Sequence, residues 1–342
     1  MKRLRILITG SAGLIGAALR QALVVAGHRV VGLDLRAGGA ETGNVRDRVR
    51  VRAAVQNCDG VVHLAAVSRV VWAERNPSLC WDTNVRGIAN VINAAERQAA
   101  PPWLLFASSR EVYGEAQSLP VTECAPLCPV NVYARSKVEG EALVAAAARR
   151  GLRAAVVRLS NVYGRTTDHA DRVVPAFALA AAFGEAIRVE GGDNVFDFTH
   201  LDDVVRGLLS VIDRLAPARA PALPPIHLVS GQAHSLGQLA ALANALGGGR
   251  SRIFDAPPRR FDVAKFYGCG SRARDLLGWA PRITLALGLA RLIGEFRAAA
   301  GVDASLPARA DLRPPSGNAA NACARGQGTE ESRCAPPRAG PT

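Results

Sequence analysis

The chain has 342 residues, 49% hydrophobic and 21% charged, which is a soluble globular balance with room for a sizeable core in one or two domains. No run approaches the roughly 18 apolar residues of a membrane span, and seven scattered cysteines argue against a disulfide framework. The net charge is +13 and all but three of the 42 basic residues are arginine, but they are dispersed without aromatic interleaving, so no nucleic-acid footprint is read.

The opening Arg5–Thr9 run leads straight into a glycine-rich turn with no cleavage site, so it reads as a first strand rather than a signal peptide. The cytoplasm is the expected compartment, with no membrane partner. Further apolar runs at Arg29–Asp34, Gly60–Leu64, Trp103–Ser108 and Ala154–Leu159 are continuous, as in buried parallel strands. Helical stretches at Leu14–Ala26, Asp82–Gln98 and Val132–Arg149 lie between them. Strands alternating with helices imply βαβ crossovers and an α/β, Rossmann-type doubly wound parallel sheet.

After Gly164 the regularity loosens, with Pro/Gly-rich segments at 215–225 and 247–260. The division expected is a Rossmann core over 1–164, the rest of the sheet with a small substrate-binding lobe over 165–300, and a disordered tail over 301–342. Cys124 and Cys128 lie close together, but no second Cys or His pair completes a site, so no metal is expected.

Residues 9–16 read TGSAGLIG, with Gly10, Gly13, Leu14, Ile15 and Gly16 between the first strand and a helix. Glycines there let the backbone approach a pyrophosphate, and the helix N-terminus offers N–H groups to it. Asp34 closes the second strand roughly twenty residues on, placed for the adenosine ribose hydroxyls. A carboxylate there repels the extra phosphate of NADP, so the cofactor read is NAD. Arg36, two residues later, is the feature that speaks for NADP.

Tyr133 and Lys137 stand at i and i+4 in NVYARSK and share one helix face. The ammonium, together with a positive nicotinamide, is expected to favour the phenolate and make Tyr133 a general base. At the end of the Trp103–Ser108 strand comes FASSREVYG, where Ser109 is a candidate to bond the reacting hydroxyl and Glu111 a second acid/base. Turn chemistry is the plain alternative for Ser108 and Ser109.

These features resemble the NAD-dependent epimerase/dehydratase family of extended short-chain dehydrogenases, relatives of UDP-galactose 4-epimerase. The likeness runs from about Leu4 to Phe296, and it includes VVHLAA at 61–66, TNVRG at 83–87, RLSNVYG at 158–164 and ARDLLGWAPRITLALGL at 273–289. It implies that Leu64, Ala65, Asn44 and Val45 border the cofactor, with Asn44 in place of a more usual aspartate. It places Asn84 near the nicotinamide and Asn161 on the nucleotide sugar. Phe196 stands where relatives often carry a diphosphate-binding Arg, and Arg259 or Arg260 resembles a second such arginine. The implied activity is a nucleotide-sugar 4-epimerase working through a transient 4-keto sugar, as a homodimer. The rivals are a dehydratase using Glu111, an NADP-dependent reductase of a non-sugar carbonyl, and a non-catalytic NAD-sensing protein.

Overall fold

In the computed structural model, residues 2–257 and 263–301 are described. Six strands form one parallel sheet: β1 (Arg5–Thr9), β2 (Arg29–Leu33), β3 (Gly60–His63), β4 (Trp103–Ser109), β5 (Ala154–Leu159) and β6 (Ile226–Leu228). Their order across the sheet is β6-β5-β4-β3-β1-β2. The order reverses at β1, where chain progress turns from one side of the sheet to the other. In such sheets, ligands bind at the carboxyl ends of the strands beside that reversal.

The strand sequences are mostly apolar because both faces are covered. Ile6 and Ile8 point into one core, Leu7 into the other, following the two-residue period of a strand. Helices α1 (Leu14–Val25) and α6 (Leu201–Leu215) cover the first face. Helices α2 (Arg48–Val55), α3 (Gly87–Glu96) and α4 (Val132–Arg149) cover the second. A third core joins α5 (Val173–Phe183), α7 (Leu236–Leu246) and α8 (Leu285–Ala299) into a lobe over the carboxyl edge. The residues beyond 164 therefore do two jobs, since α6 and β6 complete the sheet while the others form the lobe. The expectation for the tail lies outside the described residues from 302 onward, and no described helix is long and apolar enough to cross a membrane.

One expected helix divides. The stretch expected as Asp82–Gln98 begins with a π turn over Asp82–Arg86 and continues as α3. The wider turn leaves Asn84 buried, and its amide then bonds outside its own helix.

A charged residue in β5 exposes how the sheet is tied to its helices. Arg158 is buried and forms two hydrogen bonds to Glu141 of α4, Nε to Oε1 at 2.9 Å and NH2 to Oε2 at 2.6 Å. Ser108 of β4 donates to the same carboxylate at 2.5 Å. Arg158 NH1 donates to the Tyr113 hydroxyl at 2.6 Å, and that hydroxyl meets His227 Nε2 of β6 at 2.6 Å. Breaking one half of a buried pair leaves an uncompensated charge. Glu141→Leu is therefore expected to destabilise the fold by about 3–5 kcal/mol in urea unfolding, with Glu141→Leu/Arg158→Met recovering most of the loss.

Candidate active site

The site begins at the β1–α1 turn. Gly10 adopts φ +73°, and a Cβ there would sit 2.7 Å from the Ala65 nitrogen. A Cβ at Gly16 would overlap the Gly10 carbonyl oxygen. The turn is thus pressed against the end of β3 and against its own helix, which only glycine permits. α1 starts after Gly13 with no side-chain cap, and its first turn lines the cleft. An uncapped, glycine-walled helix start fits the pyrophosphate of a dinucleotide.

Asp34 anchors the adjacent rim. Its Oδ2 accepts from the Ala12 nitrogen at 3.0 Å and its Oδ1 from the Arg36 nitrogen at 2.8 Å. The Arg36 guanidinium is turned onto the same turn, donating to the Ala12 carbonyl at 3.2 Å and lying 3.8 Å from Asp34. The Asp34 carboxylate is held by backbone N–H groups, while the Arg36 side chain is largely solvated.

A single cleft of about 1110 Å³ runs from this rim to the lobe. It exceeds the usual volume of a one-ligand site, about 300–1,000 Å³. Gly10, Gly13, Leu14, Ile15, Gly16, Asp34, Asn44, Val45, Leu64 and Ala65 line one end, and Ser109, Glu111, Tyr133, Lys137 and Asn161 the other. Asn84 is not brought to the cleft; Thr83 lines it instead. The Asn84 amide binds the Val67 backbone at 2.8 and 3.2 Å and Ser136 at 2.9 Å, so it fixes the wall behind the site. Arg259 and Arg260 lie outside the described residues.

Tyr133 and Lys137 project from the first turns of α4, whose start is capped by Asn131 accepting from the Ala134 nitrogen at 2.8 Å. Lys137 Nζ donates to the Ala107 carbonyl of β4 at 2.8 Å and lies 5.8 Å from the Tyr133 ring centre. Ser109 lies close enough to Tyr133 for its side chain to favour the phenolate. The expected activation of the phenol by Lys137 is not what the free site shows. Burial pushes Tyr133 up to about 12, the Ser109 side chain pulls it down, the Glu111 charge adds to the rise, and Arg172 is the leading cation opposing it. Burial likewise pulls Lys137 down to about 8. Desolvation disfavours both charged forms and outweighs the pair's mutual effect.

Glu111 is held at both oxygens. Arg110 NH2 is ion-paired with Oε1 at 2.8 Å, and Asn131 Nδ2 donates to Oε2 at 3.1 Å. Several lining groups carry no motif that would single them out in the sequence. Arg69 makes a two-point pair with Asp171, at 2.6 and 2.9 Å, and Trp72 meets His169 edge-on at 4.9 Å. These contacts clasp the segment after β3 to the segment before α5 across the cleft. Arg172, whose charge reaches Tyr133, belongs to the same clasp.

The Lys137 shift has a testable sign. Its folded pKa lies below the ordinary 10.5, so between pH about 8 and 10.5 the unfolded chain binds the extra proton and stability rises with pH. Lys137→Met should lack that rise when unfolding free energies are compared at pH 7 and pH 10. A matching rise in the variant would show that Lys137 is not the group responsible.

Similarity to known proteins agrees with this geometry. The NAD dependent epimerase/dehydratase family matches residues 6–222. The chain is 32% identical to UDP-glucose 4-epimerase of Streptomyces lividans, covering 80% of this chain and 91% of that protein. It is 30% identical to UDP-glucuronic acid decarboxylase 1 of Danio rerio, over 86% of this chain and 73% of the other. A UDP-glucose 4-epimerase from Thermotoga maritima, solved with UDP-glucose, superposes with a TM-score of 0.80 at 26% identity, covering 87% of this chain and all of that one. A glycine-walled cofactor turn, the Asp34 rim and the Ser109, Tyr133 and Lys137 group thus accompany a family-wide match, and the chain is an enzyme that belongs to the NAD dependent epimerase/dehydratase family.

Proposed function

We propose that the enzyme inverts C4 of a nucleotide-linked sugar through a transient 4-keto sugar, in the manner of a 4-epimerase. The observation that carries this choice within the family is the state of Glu111. Dehydration needs an acid/base free to exchange a proton near C5 and C6, and both Glu111 oxygens are engaged by Arg110 and Asn131. Epimerisation needs no such group.

Tyr133 is the base towards the C4 hydroxyl, with Ser109 bonded to both phenol and substrate. When bound, NAD⁺ supplies the hydride acceptor and a positive charge beside the phenol. Because burial holds Tyr133 protonated in the free site, the phenol is reactive only when further positive charge enters the cleft. Lys137, fixed to Ala107, holds the ribose side and keeps a cation beneath the ring. The cleft volume of about 1110 Å³ is more than a one-ligand site usually has, about 300–1,000 Å³.

The working form proposed is a homodimer. On α4, Val144 is buried and Leu143 and Val138 pack against the cores. Leu79 and Trp81, on the short helix Pro77–Trp81 beside α4, are exposed instead and give a self-complementary patch. Light scattering at micromolar concentration is expected to give twice the chain mass, and a monomer mass would refute the dimer.

Two substitutions test the chemistry. Tyr133→Phe keeps the ring and removes the ionisable oxygen, so NAD binding should persist while turnover falls about 10²–10⁴-fold. Glu111→Gln should leave epimerisation within a few-fold of the parent. A variant that loses elimination to a 6-deoxy product, with the parent making that product, would replace the epimerase reading with dehydration.

A further inference from the structure

Arg110 is the cleft residue that the chemistry above leaves without a task towards substrate. It follows Ser109 at the end of β4, and its side chain is nine-tenths buried. Its guanidinium lies over the Phe196 ring at 4.7 Å and near Phe266 at 5.8 Å, while NH2 is paired with Glu111 at 2.8 Å. The other terminal nitrogen, NH1, is buried and has no hydrogen-bond partner among the described residues. Two rings and a carboxylate thus surround a charged donor on a side chain that lines the cleft. A buried guanidinium nitrogen without an acceptor is costly to the free protein. It is tolerated where a ligand oxygen completes it, as strained or unsatisfied groups at binding sites are.

The position narrows the ligand. Ser109 and Tyr133 line the cleft together, and Phe196 belongs to the lobe core. Arg110 spans the two, between where a sugar reacts and where a nucleotide would rest. Phe196 offers no donor of its own there, only a flat face that fixes the guanidinium plane.

We propose that Arg110 is the anion-recognising residue of the substrate subsite, donating through NH1 to a negatively charged oxygen of the nucleotide sugar. The inference rests on the functional reading above. Such oxygens occur on the diphosphate and, in a uronic sugar, on the C6 carboxylate. Glu111 serves this arrangement as the brace that orients the fork.

Calorimetric titration of the NAD-saturated enzyme with UDP, UDP-glucose and UDP-glucuronate tests it in the parent, Arg110→Met and Arg110→Lys. Methionine keeps the stacking on Phe196 and removes the donors. An unchanged NAD affinity shows that the variant is folded, and Arg110→Lys, which keeps the charge, serves if Arg110→Met does not fold. Arg110→Met is expected to weaken binding about 10–100-fold, the worth of one charge-assisted bond, with Arg110→Lys intermediate. Equal weakening of all three ligands assigns the diphosphate, and weakening confined to UDP-glucuronate assigns the carboxylate. Binding of all three within two-fold of the parent by both variants overturns the proposal. If the parent binds none of them, the functional reading fails separately, and inorganic pyrophosphate takes their place. Weaker pyrophosphate binding in the variants than in the parent then supports Arg110 as an anion site, and no difference overturns it.

Discussion

The Glu141–Arg158 ion pair sets the position of the catalytic helix. Glu141 lies one turn beyond Lys137 on α4, and its carboxylate is gripped from β5 by Arg158 and from β4 by Ser108. Ser108 is the neighbour of Ser109, so one carboxylate fixes the helix that carries Tyr133 relative to the strand end that carries Ser109. A buried ion pair contributes little net stability over well-packed apolar residues. What it supplies here is direction, because two-point Arg–carboxylate bonds tolerate one relative orientation. The network runs on through Tyr113 to His227 of β6, which burial keeps neutral by pulling its pKa down to about 3. The polar core is therefore satisfied without a titrating group near neutral pH.

The same burial that makes this network rigid governs the reacting groups. Desolvation raises the phenol to about 12 and lowers the ammonium to about 8, so the phenol stays protonated while Lys137 remains largely cationic near neutral pH. A site of this kind is quiet until its ligands bring charge of their own. The clasp of Arg69 with Asp171 and Trp72 with His169 closes the side wall of the cleft, and Arg172 beside it is the cation nearest in effect to the phenol. Shielding from water and the entry of positive charge thus belong to one arrangement.

Much of this was readable in the residues. The bounds of β1, β5 and α4 match those expected from the alternation of apolar runs and helical stretches. The glycine turn, Asp34 and the Tyr133/Lys137 spacing are local patterns, and local patterns survive folding. What could not be read depends on contacts distant in sequence. Arg69 and Asp171 are 102 residues apart, and nothing near either signals the other. Arg110 gains meaning only when Phe196 is folded over against it. Asn84 was misplaced because a π turn, which no periodicity announces, rotates it from the cleft into the wall. Spacing on a helix shows a neighbouring charge but not how deeply both groups are buried, and burial dominates Tyr133 and Lys137 in the free site.

The central claim is that oxidation and reduction both occur at sugar C4. UDP-glucose carrying deuterium at C4, incubated with the NAD-loaded enzyme and followed by NMR, tests it most directly. The account predicts UDP-galactose with the deuterium still on C4. Deuterium appearing at C6 of a deoxy sugar, or lost to solvent, would contradict it.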